Sequence, residues 1–345
     1  MDLCLINCGM QSPTGTDVFM SIANVMAGIA RVSRFKDIED TKFKPVSLGM
    51  AKYLDDCHDN NTRFLKLLQP ALEETTRVLD GKSHHPFRIT IYLCLPQKRP
   101  GLDESLLDSL QNTIKDFEYR SRFNIKTEVI REDHDSGMLA LAKVRHEIKR
   151  DVCDFCLVAG VDSFVSDETV KWLERANHLK CSTNRNGYTP GEAASCILLC
   201  NELIADKYDL PVKARILAEA SVEEPAFFGS GVPTTGKGLS TAMNQVLKSL
   251  PEGEKVNEIF CTLKGLRHEA EEYGYCNLTS GSYMQKPGEF FSLVDCWGDV
   301  GSASATSLIC YAVIKNELGF ADGPNNLIFT LSPGKSRSAA LLKTF

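Results

Sequence analysis

Residues 154–199, DFCLVAGVDSFVSDETVKWLERANHLKCSTNRNGYTPGEAASCILL, decide the fold. The runs at 155–159 and 195–200 are apolar almost without interruption, which reads as two strands buried on both faces, because a strand with one wet face alternates. Gly160 and Gly191 permit tight turns or close backbone approach at the inner ends of these strands, and Pro190 stiffens the loop before the second. Glu192 then sits on the buried side, where a carboxylate must find donors.

Working outward, apolar runs alternate with amphipathic segments. A strand at 3–7 precedes the turn Ser12-Pro13-Thr14-Gly15, and a helix follows with Phe19, Ile22, Ala23 and Met26 on one face. A helix at 61–79 leads to a strand at 88–95, a helix at 104–119 to a strand at 124–130, and a helix at 138–149 to the strand at 155–159. Beyond Pro190 the pattern resumes with strands at 195–200 and 213–219, a helix at 238–250, a strand at 258–262, a helix at 303–318 and strands at 326–331 and 338–342. This is an α/β alternation, and no Pro-, Gly- or Ser-rich loop is long enough to be an interdomain linker. Two similar halves, 1–205 and 206–345, are expected to pack as one compact unit.

The chain of 345 residues carries 39 basic and 45 acidic side chains, a net charge of −6 that argues against a protein built to neutralise phosphates. The first ten residues lack a basic leader region, and no run approaches the ~20 apolar residues that span a bilayer, so a soluble cytoplasmic protein is expected. The thirteen Cys are scattered through apolar runs and odd in number, which suits small hydrophobes in a reducing compartment. Cys153 and Cys156 form a C-x-x-C, but no second ligand pair is spaced to complete a zinc site. The pair therefore reads as two partly buried thiols, and neither a metal nor a cofactor is expected.

The 154–199 stretch resembles the β-ketoacyl synthases of the thiolase-like superfamily, in which a strand ending in a G-G-V/D-S-like turn leads to an R-D-G-F-V-P-G-E-G-A loop and another strand. Residues 5–15, LINCGMQSPTG, resemble that family's opening strand and S-P-L-G turn. The segment 297–305, WGDVGSASA, resembles its G-H-T-x-G-A-A-G segment, and 332–342, SPGKSRSAALL, its closing turn and last strand. The resemblance implies a five-layered αβαβα fold with two pseudo-symmetric halves and a buried sheet in each. It also implies a homodimer, and an acyl-carrier or coenzyme A thioester as ligand.

A condensing enzyme of this kind holds its acyl chain on a thiolate at a helix N-terminus and uses two basic donors to decarboxylate the extender and stabilise the enolate. Counting back from Met138-Leu139-Ala140-Leu141 places His134 at the family's Cys position, and no Cys lies between Cys94 and Cys153. Lys264 stands where the first His opens its turn, and Asp299 follows Gly298 where the second His belongs. Val294 replaces the family's Lys four residues before Gly298. The catalytic candidates are therefore His134, Lys264 and Asp299, with Glu192 beside them. An imidazole cannot carry a stable thioester as a thiolate does, and Lys264 and Asp299 are expected to pair with each other.

The leading expectation is a degenerate, non-condensing scaffold or an acyl- or partner-binding protein. An acyltransferase or thioester hydrolase using His134 with Asp133 or Asp135 is a second, and a chain-length-factor-like partner of an active synthase a third. Against the second, Asp and Ser around His134 also read as N-caps of the following helix. Partners implied by the resemblance are a second copy or a related synthase, an acyl-carrier protein, and components of a bacterial secretion system or biosynthetic cluster.

Two glycine-rich turns compete for attention. Gly334, Lys335, Ser336 and Arg337 offer backbone N–H groups and two cations that suit an anion, with a phosphopantetheine arm named first. The segment 231–237, GVPTTGK, fits most of a phosphate-cradling loop, but Gly238 replaces the hydroxyl residue and no strand precedes it. His84, His85, His146 and His268 read as surface.

Overall fold

The computed structural model describes residues 2–57 and 59–345. Among them eleven strands form: β1 (Leu3–Gln11), β2 (Val32–Glu39), β3 (Pro45–Gly49), β4 (Arg88–Cys94), β5 (Asn124–Ile130), β6 (Phe155–Ser163), β7 (Glu192–Cys200), β8 (Ala214–Glu223), β9 (Glu258–Cys261), β10 (Asn325–Leu331) and β11 (Ser336–Thr344). Nine of them lie in the order β5-β4-β6-β7-β1-β8-β11-β10-β9, and β2 pairs with β3 as a separate hairpin. β4 runs parallel to β5 and β6, and β9 parallel to β10, while the other pairings are antiparallel. Every residue of β6 and of β7 is buried, as their unbroken apolar character requires.

The helices sort into layers. α2 (Asn60–Thr76) and α3 (Leu106–Ser121) pack on one face of the first five strands, with Phe64, Leu68, Leu110 and Phe117 meeting Ile89, Ile91 and Leu157. α7 (Lys237–Leu247) and α8 (Arg267–Ser280) pack on the far face of the last four, where Leu239, Met243 and Tyr273 meet Leu327 and Phe329. Between the two groups of strands lie α1 (Val18–Met26), α4 (Ser136–Lys149) and α10 (Ser304–Glu317). In α10 every residue from Ser304 to Lys315 is buried, which only a helix enclosed on all sides can satisfy. The result is the expected five-layered αβαβα sandwich. One difference is that the two groups of strands meet edge to edge through Leu3–Ile216, Cys4–Arg215 and Leu5–Ala214, so the sheet is continuous through both halves. Short helices α5 (Asp167–Arg175), α6 (Glu202–Lys207) and α9 (Val294–Trp297) complete the chain.

The buried face of α1 departs from expectation: Val18, Ser21, Ile22 and Val25 point inward, while Phe19 and Met20 are exposed. Ser21 takes an inward place because its Oγ completes a buried hydroxyl cluster with Ser12 and Thr14. Thr14 in turn accepts from Trp297 Nε1 at 2.7 Å, tying the first turn of the chain to the loop that carries Asp299.

Gly160 and Gly191 of the deciding stretch are sites of close backbone approach. A Cβ on Gly160 would lie 2.6 Å from the Ser302 carbonyl oxygen, and one on Gly191 would lie 2.1 Å from that of Trp297. Because both obstacles are backbone, Gly191→Ala should lower stability by about 3 kcal/mol, the upper part of the range for overpacking. Denaturant unfolding at unchanged slope checks this, and a loss below half that figure would show that the loop yields easily.

Candidate functional site

The chain leaves β5 and turns through a single 3-10 turn, Asp133–Asp135, before α4 begins at Ser136. Asp133 has φ 47°, a left-handed conformation that Asp tolerates better than most residues, and its Oδ1 accepts from Gln97 N at 2.9 Å. The turn delivers His134 into the interior with 1% of its surface exposed. The capping expectation is corrected here. Neither Asp133 nor Asp135 caps α4: Asp135 instead accepts from the Thr330 hydroxyl of β10, and Ser136 Oγ accepts from Glu132 N.

Three chain segments converge on His134. Its Nε2 lies 2.6 Å from Asp299 Oδ1, and Lys264 Nζ lies 3.4 Å from Nε2 and 3.6 Å from Asp299 Oδ2. A contact that short to a carboxylate requires Nε2 to carry the proton, so Lys264 cannot donate to it and turns to carboxylates instead. Glu269, in the first turn of α8, supplies the second: its Oε1 lies 3.3 Å from Lys264 Nζ and its Oε2 accepts from Lys264 N at 2.8 Å. Asp299 is fixed through its backbone, donating to Thr189 O at 2.7 Å and accepting from Gly191 N at 2.8 Å. Its Oδ1 also accepts from Gly301 N at 3.0 Å.

The electrostatics follow from this closure. Burial alone would raise the Asp299 carboxyl, but His134 and Lys264 hold it well below the usual range. Burial would likewise lower the Lys264 ammonium, yet Asp299 and Glu269 carry it above its ordinary value. The Lys264 ammonium also faces the ring of Tyr188 at 5.4 Å. His134 Nδ1 has no hydrogen-bond partner among the described residues, and a carboxylate-held imidazole with a free nitrogen is the arrangement of a general base. Access is another matter. The cavity beside Lys264, walled by His178, Tyr188, His268, Pro333 and Arg337, measures about 20 Å³, and His134 does not line it. That is room for one water, whereas pockets for drug-sized ligands run to ~300 Å³ or more.

The other expected site residues lie elsewhere in their bonding. Glu192 does not join the His134 group: it is paired with Arg63 through Nε at 2.9 Å and through Nη2, and it accepts from Ala51 N at 2.8 Å and Ser163 Oγ at 2.9 Å. Arg337 is not available to an anion. Its Nε donates to Glu272 at 2.6 Å, and Nη1 donates to the carbonyls of Ser332, Gly334 and Ser336 at 2.8 to 2.9 Å. Gly334 and Lys335 are exposed and Ser336 is half-buried, which leaves a surface turn wrapped around a buried guanidinium. At the 231–237 turn the carboxylate of Glu224 accepts from Gly238 N at 2.7 Å, occupying the helix start that a phosphate would need. His268 is not a surface residue either, since it lines the small cavity and approaches Glu272 at 3.7 Å.

Sequence reasoning missed Glu269 and Tyr188. The signal for Glu269 was available: an acidic residue in the first turn of a helix that reaches back to a preceding backbone N–H resembles half of a capping box. Tyr188 lay inside the deciding stretch, but nothing in one sequence ties it to Lys264.

No protein-family model and no curated protein matches the sequence. Solved structures do match. The ketosynthase from module 6 of the bacillaene synthase of Bacillus subtilis 168 aligns at TM-score 0.80 and 12% identity over 100% of this chain and 72% of its own. A type II polyketide synthase acyl-carrier protein in complex with its ketosynthase bound to the hexaketide aligns at TM-score 0.81 and 12% identity, over 100% of this chain and 99% of that one. The ishigamide ketosynthase/chain length factor aligns at TM-score 0.75 and 16% identity over the whole of both chains. At such identities likeness speaks to architecture, and the architecture is plain: the chain has the thiolase-like fold of the ketosynthases.

Proposed function

We propose that the chain is a non-condensing ketosynthase-fold protein that works by association, as a partner subunit of a synthase that retains its thiol. The observation that carries this reading is the closed group of His134, Lys264 and Asp299. These residues stand at the positions matching the family's Cys and two His, and they are held to one another, His134 by Asp299 and Lys264 by the Asp299 carboxylate, beside a cavity of about 20 Å³. Condensation needs a thiolate to hold the acyl group and donors aimed at an enolate oxygen. Here the nucleophile position is an imidazole, and the one cation faces two carboxylates. The match to a ketosynthase/chain length factor along the full length of both chains supports a partner role, and the acyl-carrier complex among the similar structures supports carrier proteins as further associates.

The orientation of His134 by Asp299 favours a second reading, a thioester hydrolase or acyltransferase with Nδ1 as base. One experiment separates the two. Intact-protein mass spectrometry after incubation with acyl-carrier and coenzyme A thioesters, with free thiol release followed in parallel, should show neither adduct nor turnover. Turnover abolished by His134→Ala would replace the first reading with the second.

A further inference from the structure

Cys153, Cys156 and Glu147 bring three ligand atoms together at the far end of α4 from His134. The two Sγ atoms are 3.3 Å apart, and each lies 3.9 Å from Glu147 Oε2. A tetrahedral zinc with Zn–S near ~2.3 Å and Zn–O near ~2.0 Å sets ligand edges of about 3.8 Å between sulfurs and about 3.5 Å between sulfur and oxygen. The three groups therefore need to move only a few tenths of an ångström to share one ion. All three are buried, Cys156 completely.

We propose that Cys153, Cys156 and Glu147 form a site for a thiophilic divalent cation, zinc above all. Two thiolates select a soft or borderline metal over magnesium or calcium. Binding exchanges the two thiol protons for the ion. Lys126 Nζ holds Glu147 Oε1 at 3.1 Å, which leaves Oε2 facing the sulfurs. Lys126 also balances the charge: two thiolates and a carboxylate carry three negative charges, met by two on the ion and one on Lys126. The other titratable groups near the site are Tyr92 of β4, whose phenol is raised by burial and then by Glu147, Glu128, which binds Lys126 at 2.7 Å, Arg88 of β4 beside Cys153, and Lys143, His146 and Arg150 along the adjoining groove. A groove of about 600 Å³ lined by Tyr92, Lys126, His146 and Glu147 opens beside the Glu147 carboxylate, and the fourth position is left to a water. The ion would staple the last turn of α4 to the first residues of β6. The C-x-x-C looked incomplete in sequence because its third ligand comes from the preceding helix and not from a second Cys or His pair.

The full chain, purified reduced and freed of metal, is titrated with Co²⁺ and then Zn²⁺. One equivalent of cobalt per chain should give thiolate-to-cobalt charge-transfer absorption and tetrahedral d–d bands, both removed by one equivalent of zinc. Cys153→Ser should abolish the bands, and Glu147→Gln, which leaves both thiols in place, should weaken binding by more than ~10-fold. Cys181→Ser, at a half-buried thiol outside the site, should leave the bands unchanged. The proposal is overturned if the wild-type protein shows no thiolate band, if the band survives Cys153→Ser, or if the pair oxidises to a disulfide in air while the reduced protein retains no metal.

Discussion

Glu192→Ala should be among the most damaging single substitutions in the protein, lowering stability by about 4 kcal/mol, within the range for breaking a buried ion pair. The reason is what the substitution leaves behind. Arg63, with 4% of its side chain exposed, would keep its carbonyl partners Leu54 and Cys57 but lose the one carboxylate paired with it among the described residues. Ala51 N and Ser163 Oγ would lose their acceptor as well. Removing both charges should be far milder: Arg63→Met combined with Glu192→Leu is expected to recover most of the loss, since buried pairs exchanged for apolar groups of similar volume are often neutral. Denaturant midpoints at constant slope give the comparison, and a double variant no better than Glu192→Ala would show that hydrogen bonds to the carboxylate, not the stranded cation, set the cost.

The same residue shows where sequence reading stopped. Glu192 was expected to be buried and in need of donors, and that much follows from a carboxylate at the head of an apolar run. One donor, Ser163, lies in the same stretch, but Arg63 and Ala51 come from α2 and from the loop after β3, more than a hundred residues earlier, and no pattern in the chain announces such a pairing. The strand and helix alternation was legible because buried β strands and the enclosed helix α10 leave unbroken apolar runs. The hairpin β2–β3 was not, because Arg34, Lys36 and Asp37 interrupt its alternation on an exposed edge. Helix α8 was hidden in the same way by its charged start, Arg267-His268-Glu269, and with it the Glu269 contact to Lys264. The places of His134, Lys264 and Asp299 came from a resemblance to a family's motifs. Their mutual distances had to come from the structure.

Asp299→Asn should cost about 3 kcal/mol at neutral pH, toward the lower end for removing one partner from a buried charged group. The amide keeps an oxygen for Gly301 N and His134, so the loss is chiefly that of the charge facing Lys264, whose side chain is 1% exposed and retains only Glu269. The pH dependence carries the sign of a lowered carboxyl. The folded protein holds Asp299 ionised more strongly than the unfolded chain does, so its stabilisation is fully present above the unfolded carboxylate value of ~3.9 and is lost as pH falls toward the depressed folded value. The stability gap between wild type and Asp299→Asn should therefore be flat from about pH 8 down to about pH 5 and narrow below that. Combining Lys264→Met with Asp299→Asn should cost less than the sum of the single substitutions, because each alone strands a charge that the pair removes together. A gap that stayed constant into strong acid would mean that Asp299 binds its proton equally well folded and unfolded, so that His134 and Lys264 do not favour its charged form, and the closed ionic group proposed to have displaced the condensing chemistry would have to be given up.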